Sequence, residues 1–326
     1  MIRNRKVSDL RVGAWVILPS PWLNHPFLKN SFQIQSDEQI DKIARSGITE
    51  VMVDLDKSRF LMESDSVSHD ARVSEHLAPL RSPDSSLLRQ AIENPSLTSE
   101  RKARAVYEHS LRLMELVLEN PTAEYLAAGK EIIGRLVDLI LSDDDTSLCL
   151  LRITSHDFLT YTHSVNVGIT SVALAKRLYR NNNSHNMHEL GAGFFLHDLG
   201  KTKVDPSIIN KPERLNDQEM KRMRVHPYQG YKIMKNTNHL GKESSVIVMQ
   251  HHEREDGTGY PHRLRGNEIH DYARICCIAD VFDALTAERS YKRSLSSFEA
   301  LQIMKRDMIG HFHKEIFEQF VLLYSV

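Results

Sequence analysis

The chain has 326 residues, with 42 lysines and arginines against 43 aspartates and glutamates, and 41% of its residues are hydrophobic. That length suits two domains, or one large domain with an extension, and is ample for a packed core. No stretch approaches the ~20 apolar residues of a membrane span. The run from Val12 to Leu18, interrupted by Gly13 and stopped by Pro19, is too short for a signal-peptide core, so a cytoplasmic protein is expected.

Three cysteines, Cys149 and the neighbours Cys276 and Cys277, make neither a disulfide framework nor zinc-finger spacing, and read as buried thiols. Histidine is unusually frequent: 17 in all, 13 of them after residue 150. Residues 1–150 hold 18 basic and 23 acidic side chains, and residues 151–326 hold 24 and 20. A mildly basic, histidine-rich second half is compatible with an anionic ligand and a metal, but establishes neither.

In chain order, strands are predicted at 12–18, at 31–35 and at 48–55, where Val51, Val53 and Leu55 alternate. Between the last two lies a helix over 37–46. Ser36 and Gln39 give it capping-box form, and Gly47 stands at its C′ position. Residues 63–98, rich in Ser, Asp and Pro, read as linker. From 99 to 120 the pattern turns helical, with Val106, Tyr107, Leu113, Met114 and Val117 in one stripe. A second helix after Pro121 aligns Leu126, Ile133, Leu136, Val137 and Ile140, and Asp143 to Asp145 break its pattern. This pair is a packed hairpin or, on the sharper reading, a dimerising signalling element. Further helices are predicted near 146–154, 157–180, 187–199, 217–234, 242–252, 271–288, 297–308 and 314–323. The division that follows is 1–62, a small α/β domain expected to be regulatory; 63–98, linker; 99–145, helical hairpin; and 146–326, a helical catalytic domain.

Five motifs recur through the helical half: His163 opening His-Ser-Val-Asn-Val; His197-Asp198-Leu199-Gly200-Lys201; His226-Pro227; His251-His252-Glu253; and Ile278-Ala279-Asp280. Each alone is weak. Together they place imidazoles and carboxylates about one helix and loop apart, as a site at the centre of a helical bundle requires. A pair of divalent ions needs such ligands, with one carboxylate able to bridge. Gly200 and Lys201 suit a helix C-terminus with a cation beside the site. After His252, Asp256-Gly257-Thr258-Gly259 reads as a tight loop in which both glycines permit positive φ, followed by Tyr260 and Pro261.

Residues 150–320 resemble the HD-GYP branch of the HD phosphohydrolase superfamily. The resemblance rests on His197 to Lys201, on His251 to Pro261, and on Ala279-Asp280-Val281-Phe282-Asp283-Ala284-Leu285-Thr286 followed by Arg289, Tyr291 and Lys292. It implies a mainly α fold, an HD-type helical bundle with a bimetal centre, preceded by the small α/β domain, which itself resembles a domain of unknown function often found ahead of this one. It implies hydrolysis of cyclic di-GMP to pGpG, with GMP if the linear dinucleotide rebinds. The implied metal ligands are His163, His197, Asp198, His226, His251, His252 and Asp280, with Asp198 bridging. The implied cofactors are two divalent ions, iron or manganese, since imidazole and carboxylate without thiolate do not describe a structural zinc site.

Asp198 and Lys201 are the catalytic candidates, and Lys201, Tyr260, Arg289 and Lys292 are the candidates for substrate contact. Lys201 is placed to stabilise charge or protonate the departing ribose oxygen, and Arg289 and Lys292 to grip the second phosphate. Some members carry a glutamate that recruits a third metal where this chain has Leu159, so two metals are expected. Asp157 reads as a helix cap. Phe312-His313-Lys314 replaces a common Phe-Asp-Pro, so the last helix lacks its usual Asp cap, and His311 and His313 read as solvated helix-start residues. Two alternatives stand beside the cyclic di-GMP reading: hydrolysis of another cyclic dinucleotide such as cyclic GMP-AMP, and a non-catalytic adaptor for GGDEF proteins. A homodimer is compatible with the sequence; DNA is not among the expected partners.

Overall fold

The computed structural model describes residues 2–18, 31–34, 36–45, 48–54, 58, 86–153, 160–180, 182, 184–209, 211, 213–287 and 295–324. They fall into two compact units that divide between residues 77 and 78.

The first unit is a four-stranded antiparallel sheet with one helix. Strand β1 (Ile2–Lys6) pairs with β4 (Glu50–Asp54), Arg5 opposite Val51. On its other side β4 pairs with β2 (Trp15–Ile17), Val16 opposite Val53, and β2 pairs with β3 (Ser31–Gln33). The order is therefore β1-β4-β2-β3. Along β4, Val51 and Val53 point inward while Glu50 and Met52 face out. Helix α1 (Asp37–Arg45) contributes Ile43 to the same core, with Val16, Ile34 and Leu18. Strand β1 was not anticipated: Arg3, Asn4, Arg5 and Lys6 show no apolar alternation, because an edge strand takes its register from its neighbour and tolerates charge. Gly47 lies outside the described residues.

The second unit is helical. It comprises α2 (Ser86–Glu93), α3 (Ser99–Glu119), α4 (Ala123–Ser142), α5 (Asp144–Ile153), α6 (Thr160–Leu178), α7 (Met187–Phe195), the short α8 (Pro206–Ile209), α9 (Asp217–Met223), α10 (His226–Asn236), α11 (Lys242–Gln250), α12 (Asp271–Thr286), α13 (Ser297–Asp307) and α14 (Lys314–Val321). Every residue of α6 from Thr162 to Ala175 is buried. A helix covered on all sides sits at the centre of its bundle, and α3, α7 and α12 pack against it. Thr98 and Thr122 cap α3 and α4, each accepting from a backbone N–H three residues on. The apolar stripe of α3 is spent inside its own unit, since Val106, Tyr107, Met114 and Val117 are buried against neighbouring helices.

Two departures from the predicted elements have physical causes. The stretch read as linker contains α2, whose Leu88 and Ala91, three apart on one face, are buried against α3. The helix predicted over 217–234 is two: α9 ends at Met223 and α10 starts at His226. Pro227 has no N–H to continue α9, but it fits the first turn of a new helix. That break puts His226 at a helix N-terminus.

Candidate metal centre

The candidate side chains come from six elements. His163 stands in the first turn of α6. His197 and Asp198 follow the C-cap of α7, and Lys201 lies in the 3₁₀ turn Leu199–Lys203. His226 opens α10, His251 caps α11 with His252 next, and Asp280 lies within α12. Most sit at helix ends, where the backbone turns aside and leaves the side chain facing inward.

They converge on Asp198, which is 1% exposed. Its Oδ1 lies 3.2 Å from His226 Nε2 and 3.7 Å from His251 Nε2. Its Oδ2 lies 3.4 Å from both His163 Nε2 and His197 Nε2, and receives Lys201 Nζ. Asp280 spans the same space: Oδ1 is 3.2 Å from His163 Nε2 and Oδ2 is 3.4 Å from His252 Nδ1. Two sets of donors thus form, Asp198 with His226, His251 and His252, and Asp198 with His163 and His197. Within each set the donor atoms lie within 4.8 Å of one another. Asp198 is common to both, one oxygen turned to each.

The hydrogen bonds behind the rings decide what the centre can hold. His197 Nδ1 donates to Phe194 O at 2.8 Å, His226 Nδ1 to Met223 O at 2.8 Å, and His251 Nδ1 to Val248 O at 3.0 Å. His163 Nδ1 meets Asp283 Oδ2 at 2.7 Å. With Nδ1 donating, the rings of His197, His226 and His251 turn Nε2 inward, each presenting a lone pair when neutral. His226 Nε2 and His251 Nε2 then face each other at 3.2 Å as two acceptors, with acceptor carboxylates beside them. His197 Nε2 and Asp198 Oδ1 are buried and lack a hydrogen bond. Acceptors packed this closely against acceptors are compatible with a divalent cation between them.

The protonation states of His226, His251 and His252 agree. Burial lowers the pKa of His226 and His251, and that of His252 further still, which keeps these rings neutral. Burial alone would raise Asp198, but Lys201 and the surrounding imidazoles outweigh it and hold the carboxyl well below the usual range. Asp280 is lowered in the same way, chiefly by His163 and His252. At His163 burial opposes charge, yet Asp198, Asp280 and Asp283 together raise its pKa well above the ordinary value. Three carboxylates around one ring mark a place that attracts positive charge.

The loop after His252 forms one wall. Gly257 has φ +75°, as expected, but Gly259 does not share it; its role is close approach, since a Cβ there would lie 2.6 Å from His252 O and from Arg254 N. Tyr260 sets its ring against His252, centroids 4.6 Å apart and tilted by 32°, and the Arg224 guanidinium lies over the Tyr260 ring, 5.5 Å from its centroid. Gly200 likewise serves contact rather than a left-handed C′ turn: a Cβ on it would fall 1.9 Å from His226 O.

Arg289, Lys292, Asp157 and Leu159 lie outside the described residues. Several site-building residues went unread in the sequence. Asp283 and Asn166 each stand three residues beyond a candidate ligand on its own helix, a spacing that puts both on one face and was the available signal. Glu253, 2% exposed, accepts from His262 N at 2.6 Å and Leu264 N at 2.9 Å, folding the loop back on itself. Arg274 pairs with Glu255 at 2.7 Å and Asp271 at 2.6 Å and donates to Gly266 O, fastening that loop to α12.

The HD domain family matches residues 152–316, and a domain of unknown function, DUF3391, matches residues 2–124. Among curated proteins the chain is 31% identical over 323 residues to the cyclic di-GMP phosphodiesterase PA4108 of Pseudomonas aeruginosa, covering 98% of this chain and 76% of that protein. It is 39% identical over 124 residues to the 3'3'-cGAMP-specific phosphodiesterase 2 of Vibrio cholerae, covering 38% of this chain and 24% of that one. Among solved structures, Bd1817, an HDG"Y"P protein from Bdellovibrio bacteriovorus, shares the fold with a TM-score of 0.63 at 17% identity, each chain covered fully. No helix among the described residues is long and apolar enough to cross a membrane.

Proposed function

The chain belongs to the HD domain family, in its HD-GYP branch, with a DUF3391 domain ahead of it, and on that premise we propose that it is a two-metal phosphodiesterase that opens cyclic di-GMP to linear pGpG. GMP follows if pGpG rebinds. The observation that carries this reading is the convergence of inward-facing Nε2 atoms and two carboxylates on one buried space, Asp198 turning an oxygen to each donor set.

Two divalent ions, iron or manganese, would be held by His163, His197, Asp198, His226, His251, His252 and Asp280, and when bound supply a nucleophile at neutral pH and neutralise phosphoryl oxygens. The chain's own residues do the rest. Backbone carbonyls hold Nδ1 of His197, His226 and His251, and Asp283 holds Nδ1 of His163, so each of these four rings keeps Nε2 turned to the centre. Lys201 Nζ, on Asp198 Oδ2 and partly open to solvent, orients that carboxylate and is placed to protonate the departing ribose oxygen. The Tyr260 ring, in contact with His252 and Arg224, gives the nucleotide an aromatic wall beside the reacting phosphate. Arg289 and Lys292 are assigned the second, unreacting phosphate. The proposed substrate supports a cytoplasmic location, where GGDEF proteins that make the same nucleotide are candidate partners.

A second reading, cleavage of cyclic GMP-AMP, is favoured by similarity to a relative specific for 3'3'-cGAMP. A non-catalytic adaptor would have no use for so complete a donor set. Protein purified without oxygen should convert cyclic di-GMP to pGpG, as followed by chromatography, with cyclic GMP-AMP assayed in parallel. Faster turnover of cyclic GMP-AMP would install the second reading. Tight binding of metal-loaded protein to uncleaved nucleotide would install the adaptor.

A further inference from the structure

A chain of buried hydrogen bonds runs from His163 to a helix that carries none of the site residues. His163 Nδ1 meets Asp283 Oδ2 at 2.7 Å, and Asn166 Nδ2 donates to the other oxygen of that carboxylate at 2.7 Å. Asn166 Oδ1 accepts from the Tyr107 hydroxyl, again at 2.7 Å. Tyr107 belongs to α3, 59 residues before Asn166, and all four side chains are buried.

The polarity of these links is forced. A carboxylate oxygen accepts, so the Asn166 amide nitrogen and the imidazole Nδ1 both donate to Asp283. The amide oxygen is then turned toward Tyr107, whose hydroxyl must donate in its turn. One amide orientation and one direction of every link satisfy the whole chain, and with them Nε2 of His163 points at Asp198 and Asp280.

We propose that Tyr107 is a positioning residue for the metal centre, acting through Asn166 and Asp283 on the ring of His163, so that the seating of α3 against α6 sets how tightly the centre holds its cations. The inference rests on reading that centre as a metal site. A carboxylate directly behind a ligating histidine is worth ~10–100-fold in metal affinity. Two links further out, removal of the tyrosine hydroxyl should cost about 3- to 10-fold.

The test is an equilibrium Mn²⁺ titration of the full chain, followed by electron paramagnetic resonance, for the wild type, Tyr107→Phe, Asn166→Ala, Asp283→Asn and the Tyr107→Phe/Asp283→Asn double variant. Tyr107→Phe keeps the ring that packs in the core; if it fails to fold, Asn166→Ala cuts the same chain from α6. Both should weaken Mn²⁺ binding and lower kcat with little change in KM. In the Asp283→Asn background Tyr107→Phe should cost nothing further, because the path is already cut. Wild-type Mn²⁺ affinity in Tyr107→Phe and Asn166→Ala, or a Tyr107→Phe penalty undiminished in the double variant, overturns the proposal. A wild-type chain that takes up no Mn²⁺ overturns this inference and the metal reading together, whereas normal uptake with indifferent variants overturns this inference alone.

Discussion

Gly200→Ala adds a single methyl group where two backbones meet. The new Cβ would lie 1.9 Å from His226 O and 2.4 Å from Gly230 N, where ordinary contact begins at 3.4 Å. Neither neighbour is a flexible side chain, so the 3₁₀ turn and α10 must part by an ångström or more. That turn follows Asp198 and carries Lys201, while α10 begins with His226, and Asp198 Oδ1 and His226 Nε2 now lie 3.2 Å apart. Functional constellations tolerate displacements of roughly 0.5 Å, so the separation exceeds what the donor set can absorb. Overpacking of this kind costs about 1–3 kcal/mol in stability, leaving the bundle folded, while metal affinity should fall ~10-fold or more. Metal content after anaerobic purification, thermal melting and turnover are measured together. Gly310→Ala serves as control, since a Cβ there meets nothing within 4 Å. Gly200→Ala protein with full metal content and wild-type turnover would refute the reasoning.

Other perturbations separate roles within the centre. His197→Ala and Asp198→Ala should each abolish bound metal and turnover while circular dichroism still reports the helices; unfolding instead would make these residues structural. Tyr260→Phe should change KM for the nucleotide several-fold without metal loss, and an unchanged kinetic profile would mean that the ring alone serves the wall. Burial pushes the Cys277 thiol up to about 12 and Cys276 well above its usual value, whereas Cys149 is raised less and is only half-buried. A thiol reagent on the folded protein should therefore modify Cys149 first, and mass mapping that finds the adjacent pair modified first would contradict the packing of α12.

The second-half helices were legible because their burial is written as period. Met114 and Val117, or Ile133, Leu136 and Val137, repeat at three and four residues and end up inside. The donor set was legible for a different reason: imidazole and carboxylate recur at helix ends, and that chemistry has few other uses in a buried place. What escaped has its cause in tertiary structure. Strand β1 exists because β4 offers an edge, α2 because α3 offers a face for Leu88, and the break before α10 because Pro227 cannot donate. The residues behind the ligands escaped because Tyr107, Asn166 and Asp283 are linked only through space. The glycines were half legible: Gly257 takes positive φ as its loop suggested, but Gly259 and Gly200 are small because backbones pass close, which no local pattern reveals.

The account stands on a pair of cations sharing one carboxylate. Anomalous-difference maps from crystals of protein purified without oxygen, collected at the iron and manganese absorption edges, test it most directly. Two peaks are predicted, about 3.5–4 Å apart, one beside His163 and His197, the other beside His226, His251 and His252, with Asp198 between them. A single peak, or density for neither metal among those side chains, would contradict it.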